Sequence, residues 1–278
     1  MISRKDIIGQ CLQDEPAFCT AVCPFRLDVP DFVTKIERGA FNAAFRAYQN
    51  AVGFPGIVSM LCAQPCRPVC IRGRVDDAVS MGLLEKAALD HATRQVPYDF
   101  NIPAKNKTVA VIGAGPSGLA CALRLCQKKY TVTLFDKLGK VGGHLKDLLP
   151  EDVYMQDIER QFMHEAYALV QREILHIDEI LSDFDAIYVA TGANGRDFGL
   201  KPDCNGAFAT DRPGVFMGGG LLGKNSCEAI ADGLEVVYAI ERYLKVGRMD
   251  APVRRRGTRL QMNTKWISGT ISRLTIKN

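Results

Sequence analysis

The stretch Thr108-Val109-Ala110-Val111-Ile112-Gly113-Ala114-Gly115-Pro116-Ser117-Gly118 limits what this chain can fold into more than any other. A run of β-formers leads directly into G-x-G-x-x-G. An apolar helical pattern follows at once, in Leu119, Ala122, Leu123, Leu125 and Cys126. A second apolar run, Tyr130 to Phe135, ends in Asp136. Strand, glycine turn, helix, strand and acid together predict a dinucleotide-binding βαβ unit. Gly113 permits the tight turn, Gly115 lets the backbone approach a pyrophosphate, and Gly118 lets helix and strand pack closely. The helix start at Pro116 and Ser117 offers unpaired N–H groups and partial positive charge to phosphates. Asp136 stands where it can accept a hydrogen bond from a ribose hydroxyl.

The chain's 278 residues allow one large or two modest domains. Its net charge of +4 is too small to argue for nucleic acid. No apolar run approaches the ~20 residues of a membrane span, so no membrane insertion is expected. Met1 to Asp6 lacks the apolar core of a signal peptide, which reads as cytoplasmic. Residues 1–95 carry helical periodicity, clearest over 31–36, 40–48 and 79–92, with loops around cysteines. Pro97 and Pro103 mark 96–107 as a linker. Residues 108–250 read as α/β. The patterns there predict a helix over 150–176, a buried strand over 184–190, a short strand over 213–217 and a helix over 226–246. The basic tail, 251–278, carries Arg254, Arg255, Arg256 and Arg259. It reads as a solvated terminus first and a partner-docking arm second.

Six of the ten cysteines fall within residues 1–70: Cys11, Cys19, Cys23, Cys62, Cys66 and Cys70. In a reducing compartment such density points to metal ligation rather than disulfides. Among these six, the C-x2-C and C-x4-C pairs usual for structural zinc are absent. Cys19-x3-Cys23-Pro24 instead matches the end of the bacterial ferredoxin run, whose last cysteine serves a different iron–sulfur cluster from its neighbours. Cys19 and Cys23 are therefore assigned to different clusters. Cys121 and Cys126 lie on the apolar face of the βαβ helix and read as core, while Cys204 and Cys227 carry no spacing signal.

Taken together, the cysteine groups Cys11 to Pro24 and Cys62 to Cys70, with Val109 to Gly118, Gly142 to Leu145, Asp185 to Ala193 and Pro213 to Gly233, carry a resemblance over nearly the whole chain. It resembles the small (beta) subunit of bacterial glutamate synthase and, equally, the N-terminal iron–sulfur and FAD portion of dihydropyrimidine dehydrogenase. The resemblance implies an α-helical double iron–sulfur cluster domain followed by an α/β Rossmann-like FAD-binding domain. One [4Fe-4S] cluster would take Cys23, Cys62, Cys66 and Glu85, although a helical Glu by residue type alone reads as a solvated face. The other would take Cys11, Cys19, Cys70 and Asp14, which stands where the family has a cysteine. A carboxylate is a harder iron ligand than a thiolate, so this cluster is expected to be Asp-ligated, labile or three-iron. The pyrophosphate of FAD would lie on Gly113, Gly115, Pro116, Ser117 and Gly118, with the adenosine ribose on Asp136. Lys137, Gly143, His144 and Leu145 would run along the cofactor, Leu145 nearest the isoalloxazine. Ala190, Thr191 and Gly192 would pass beside it. Gly219 and Gly220 replace a Gly-Asp whose Asp contacts the ribityl chain in the family. Ser226 and Ala229 would bring a helix N-terminus to the flavin's pyrimidine edge.

The family places a second Rossmann unit, for NAD(P)H, between the Ala-Thr-Gly-Ala strand end and the final Gly-Val-Phe strand. Here Asn194 to Pro213 alone fills that interval, too short for a βαβ unit of ~30 residues. The nicotinamide domain is read as missing, and NAD(P)H is not expected to bind this chain directly. The expected function is an electron-transfer subunit passing electrons between FAD and [4Fe-4S] clusters, with other redox subunits as partners. The alternatives are a self-contained NAD(P)H-dependent oxidoreductase and a non-enzymatic assembly protein. Retained Leu145, Thr191 and the flavin-edge helix oppose the last.

Overall fold

The computed structural model describes residues 17–204 and 206–252. Cys11, Asp14 and the basic tail from residue 253 lie outside the described residues.

Short helices build the N-terminal region: α1 (Phe18–Val22), α2 (Val29–Glu37), α3 (Phe41–Val52), α4 (Pro55–Leu61) and α5 (Met81–His91). Local chemistry sets their ends. The Asp28 side chain caps α2 by accepting from the Asp31 N–H at 3.1 Å, and Pro30 follows where its missing donor does no harm. Gly53 closes α3 at φ 75°. Ala44, Phe45, Tyr48, Gln49 and Val52 form the buried stripe of α3, and Met81, Glu85 and Ala88 that of α5. Helix α4 stops at Cys62, which is extended. No strand occurs among described residues before 108, as the periodicity predicts.

A five-stranded parallel sheet follows, ordered β3-β2-β1-β4-β5. Its strands are β1 (Thr108–Ile112), β2 (Thr131–Asp136), β3 (Ala168–Gln171), β4 (Ala186–Val189) and β5 (Val215–Met217). The chain winds outward from β1 through β2 to β3, then restarts on the other side of β1 at β4. That reversal makes a switch point at the carboxyl ends of β1 and β4, where α/β sheets bind ligands. Helices α6 (Pro116–Gln127), α7 (Glu151–Gln161) and α8 (Ser226–Val246) accompany the sheet. The predicted helix over 150–176 is corrected: α7 ends at Gln161, and β3 occupies 168–171. Strand β3 is exposed along its length, so no buried-face alternation announces it. Pairing of Thr133 to Asp136 with Ala168 to Gln171 makes it a strand.

The two-residue period of a strand divides the interior. Val109, Val111, Ala186 and Tyr188 join the core shared with α6, α8 and the N-terminal helices. Ala110, Ile112, Ile187 and Val189 face a smaller core closed by Ile174, Ile177 and Ile180. Between β4 and β5 the described residues form loops with two isolated bridges, Pro202 with Thr210 and Ala209 with Phe216. The predicted linker runs along the sheet domain, and Lys105 reaches Glu241 of α8 at 2.8 Å.

One buried polar chain joins the helical region to the sheet. Asp157 of α7 accepts from the Ile57 N–H at 2.8 Å, in the first turn of α4, and from the Gln161 side chain at 3.2 Å. Gln161 in turn meets Gln49 of α3 at 3.0 Å. Burial pushes the Asp157 carboxyl up to about 6, against the N–H donors that favour its charge. The native chain therefore holds a proton that the unfolded chain has released above about pH 4, and stability falls as pH rises through that window. Between pH 3.8 and about 6 the loss should reach about 3 kcal/mol. Asp157→Asn keeps the acceptor and should flatten this part of the denaturation-versus-pH curve. Asp157→Ala strands the Ile57 N–H and should lower stability by about 2 kcal/mol in urea unfolding.

Candidate cluster cradle and dinucleotide groove

The loop Cys23-Pro24-Phe25-Arg26-Leu27 turns back through Arg26 at φ 51°. The Arg26 N–H thereby donates to the Cys23 carbonyl at 2.9 Å and closes the turn. Gln64, at φ 53°, turns the Cys62 to Cys66 loop in the same way, and its N–H donates to Cys62 Sγ at 3.4 Å. The Gln64 side chain accepts from the Gly82 N–H at 3.2 Å, tying this loop to the first turn of α5. One turn further along α5 stands Glu85. Sequence-distant Cys23, Cys62, Cys66 and Glu85 thus line a single cavity of about 350 Å3 counted to its mouth, with Tyr48 and Met81.

Glu85 is buried, and its Oε2 has no hydrogen-bond partner; the Tyr48 hydroxyl lies beside the carboxylate, likewise unpartnered. Desolvation, reinforced by Cys62, pushes the Glu85 carboxyl up to about 7. Desolvation also pushes the Cys66 thiol up to about 12, with Cys23 and Cys62 adding to it. Among the described residues no three His, Cys, Asp or Glu side chains converge closely enough for a single ion. Soft sulfurs spread around a cavity, that of Cys62 met by the Gln64 N–H, with one carboxylate oxygen of Glu85 unpartnered, fit an iron–sulfur cluster better than zinc. Cys19 and Cys70, assigned to the other cluster, are half-buried and do not line this cavity. Cys121 and Cys126 are buried in α6, as expected of core residues.

At the switch point, four loops converge. A Cβ on Gly113 would collide with the Ala190 carbonyl, and one on Gly118 with the Gly113 carbonyl. A Cβ on Gly143 would come within 2.8 Å of Gly115 Cα, one on Gly219 within 2.6 Å of Ser117, and one on Gly220 within 3.4 Å of Gly192 Cα. Around Gly115 and Gly192, in contrast, a Cβ would meet nothing within 4 Å. The groove is therefore tight behind and open in front, at the start of α6 where a helix N-terminus can receive a phosphate group. Ser117 is fixed from below by the Tyr188 hydroxyl at 2.8 Å. Asp136 accepts from the Ala114 N–H at 3.1 Å and the Leu138 N–H at 2.8 Å, which holds its carboxylate beside the glycine turn. Lys137, Gly143 and His144 are exposed on this side, Thr191 is half-buried and bonded to the Arg196 carbonyl, and Ala190, Leu145 and Ala229 are buried. His144 Nε2 meets Ser226 Oγ at 2.8 Å.

Three participants carry no sequence signal. Asp232 accepts from the Gly219 N–H at 3.0 Å and pins the Gly218 to Gly220 turn. Tyr188 is hidden within an apolar strand pattern. Cys227, in the first turn of α8, is buried close to Cys62. No local pattern flags these residues, because their partners are distant in sequence. Helix α8 is itself well signalled by the Asn225/Glu228 capping box at its start.

Fold and candidate sites together pair a helical, cysteine-lined module with a Rossmann-like nucleotide module. Residues 7–96 match the family described as dihydropyrimidine dehydrogenase domain II, 4Fe-4S cluster. Residues 111–170 match the NAD(P)-binding Rossmann-like domain. The chain is 29% identical to the NADPH-Fe(3+) oxidoreductase subunit beta of Geobacter sulfurreducens, over 66% of this chain and 30% of that one. It is 29% identical to the glutamate synthase [NADPH] small chain of Mycobacterium tuberculosis, over 69% of this chain and 41% of that one. The NADP(+)-dependent formate dehydrogenase subunit beta of Moorella thermoacetica is 26% identical over 63% and 29%. The chain thus spans well under half the length of these relatives. The resemblance to glutamate synthase small chains and dihydropyrimidine dehydrogenase read from the motifs holds. Among the described residues no helix is long and apolar enough to cross a membrane.

Proposed function

We propose that this chain is an electron-transfer subunit of a larger oxidoreductase, holding FAD in the switch-point groove and a [4Fe-4S] cluster in the cradle. One observation carries the reading: the first turn of α8 touches both sites. Ser226 bonds to His144 at 2.8 Å on the groove side, and the neighbouring Cys227 is buried close to Cys62 on the cradle side. When bound, FAD supplies exchange of one or two electrons and the cluster exchange of one. The chain's own groups do the rest. Gly115 and Gly192 leave room for the dinucleotide, and the α6 N-terminus neutralises its phosphates. The α8 N-terminus favours negative charge on the neighbouring flavin edge. Cys23, Cys62, Cys66 and Glu85 would ligate iron, and the Gln64 N–H steadies the Cys62 sulfur. Cys19 and Cys70, with Cys11 and Asp14, would serve the second cluster.

With only Asn194 to Pro213 between Ala193 and Gly214, electrons would enter or leave through partner redox subunits. The second reading, a self-contained NAD(P)H-dependent oxidoreductase, has in its favour the NAD(P)-binding description of residues 111–170 and the names of the relatives. The purified chain separates them. Flavin and iron should both be present, and calorimetric titration with NADH or NADPH should show no micromolar binding. Rapid anaerobic bleaching of the flavin by either nucleotide would support the second reading instead. A chain with neither iron nor flavin would be neither.

A further inference from the structure

The lysines of the sheet domain differ between the two ends of its strands. Lys105, Lys107, Lys128 and Lys129, ahead of β1 and β2, are all paired: with Glu241 at 2.8 Å, Asp185 at 2.5 Å, Glu241 at 2.5 Å and Glu165 at 3.0 Å respectively. Lys140 after β2, Lys146 in the turn beside Gly143, and Lys224 after β5 are exposed, and none forms an ion pair among the described residues. Each stands two residues from an exposed leucine: Leu138 at 59%, Leu148 at 50% and Leu222 at 41%. Their loops meet at the carboxyl ends of the parallel sheet, around the open front of the groove. The Gly142 N–H donates to the Ala114 carbonyl at 2.8 Å, and His144 meets Ser226 at 2.8 Å. Of the acids on these loops, Asp136 is held by the Ala114 and Leu138 N–H groups and Asp147 is exposed. Asp232 of α8, within Coulomb reach of Lys224, is held by the Gly219 N–H at 3.0 Å.

We propose that this rim is the docking surface of an acidic electron-carrier protein, whose carboxylates meet Lys140, Lys146 and Lys224 around the three leucines. The inference rests on the proposed reading of the groove as a flavin site, since a redox centre there gives a carrier reason to dock over it. Cations interspersed with apolar side chains suit a protein interface: charge steers the approach and apolar contact holds the complex. A lysine with no partner in its own fold keeps its charge for an incoming surface. Lys105 and its neighbours use theirs internally.

The test measures binding of the full, flavin-loaded chain to an acidic ferredoxin and an acidic flavodoxin by interferometry. Affinity should fall about 10-fold between about 20 and about 200 mM salt. The triple variant Lys140→Glu, Lys146→Glu, Lys224→Glu should weaken binding about 100-fold, chiefly through slower association. Leu138→Ser, Leu148→Ser, Leu222→Ser together should speed dissociation about 10-fold. Arg38→Glu, Lys245→Glu, Arg248→Glu makes the same change in net charge at exposed positions of other surfaces and should bind as the unsubstituted chain does. Equal weakening in the two charge-reversed variants would overturn the proposal, by reducing it to net charge. Binding to phosphatidylglycerol vesicles but to neither carrier would also overturn it, by making the rim a lipid contact. Flavin absorbance reads the groove separately. A chain without flavin fails that reading, and the proposal with it, whereas a flavin-loaded chain that binds neither carrier fails the proposal alone.

Discussion

Gly115→Leu should abolish flavin binding while leaving the chain folded. Gly115 has an ordinary extended backbone, φ −81° and ψ −174°, and nothing lies within 4 Å of where its Cβ would stand. A leucine there fits the protein but occupies the space before the α6 N-terminus. Gly115 is also the N-cap of α6, so losing it should lower stability by about 1 kcal/mol at most. The loss of pyrophosphate contact should weaken flavin binding by about 100-fold or more. Gly113→Ala and Gly118→Ala are the contrast. Each adds one methyl group, yet each Cβ collides with a backbone carbonyl, and Gly113 sits at φ 107° besides. Both should unfold the sheet domain or lower its melting temperature sharply. Flavin absorbance after purification and thermal unfolding by circular dichroism read the two effects separately. Full flavin content in a folded Gly115→Leu chain would place the dinucleotide somewhere other than this groove.

Cys66→Ser should remove roughly half of the iron and leave the flavin in place. Cys66 shares one cavity with Cys23, Cys62 and Glu85, while Cys19 and Cys70 stand outside it. A serine oxygen is harder than a thiolate and holds iron poorly. The cavity is also dry enough that the Cys66 thiol is pushed up to about 12. Loading metal must therefore release a proton, and uptake should be slower at low pH. Cys121→Ser, buried in α6 away from the cavity, should change no iron. Elemental analysis with the visible spectrum decides the matter. Zinc in place of iron, with no visible absorbance to lose, would end the cluster reading.

Several features are legible in the amino-acid order because their causes act over short reach. The glycines at 113, 115 and 118 answer to steric limits within one turn, and β1, α6 and β2 follow in unbroken order. The α8 capping box spans four residues. The cysteine loops carry their spacing on their face, and three of the cysteines do line one cavity. The shortness of Asn194 to Pro213 is likewise readable by length alone.

Other features are products of tertiary packing. Strand β3 has no inward face of its own and exists because β2 offers an edge. Glu85 stands on the buried stripe of α5, and only the packing of α3 and α4 against that stripe makes it a carboxylate inside a thiol-lined cavity. Asp157 caps a helix a hundred residues earlier in the chain. Cys227, without any spacing signal, lies close to Cys62 because α8 begins where α4 ends. A sequence by itself determines conformations whose energies depend on near neighbours: turns, caps, periodic faces. Which buried groups meet across the core is decided when distant elements pack, since desolvation and hydrogen bonding then act between residues that no local pattern links.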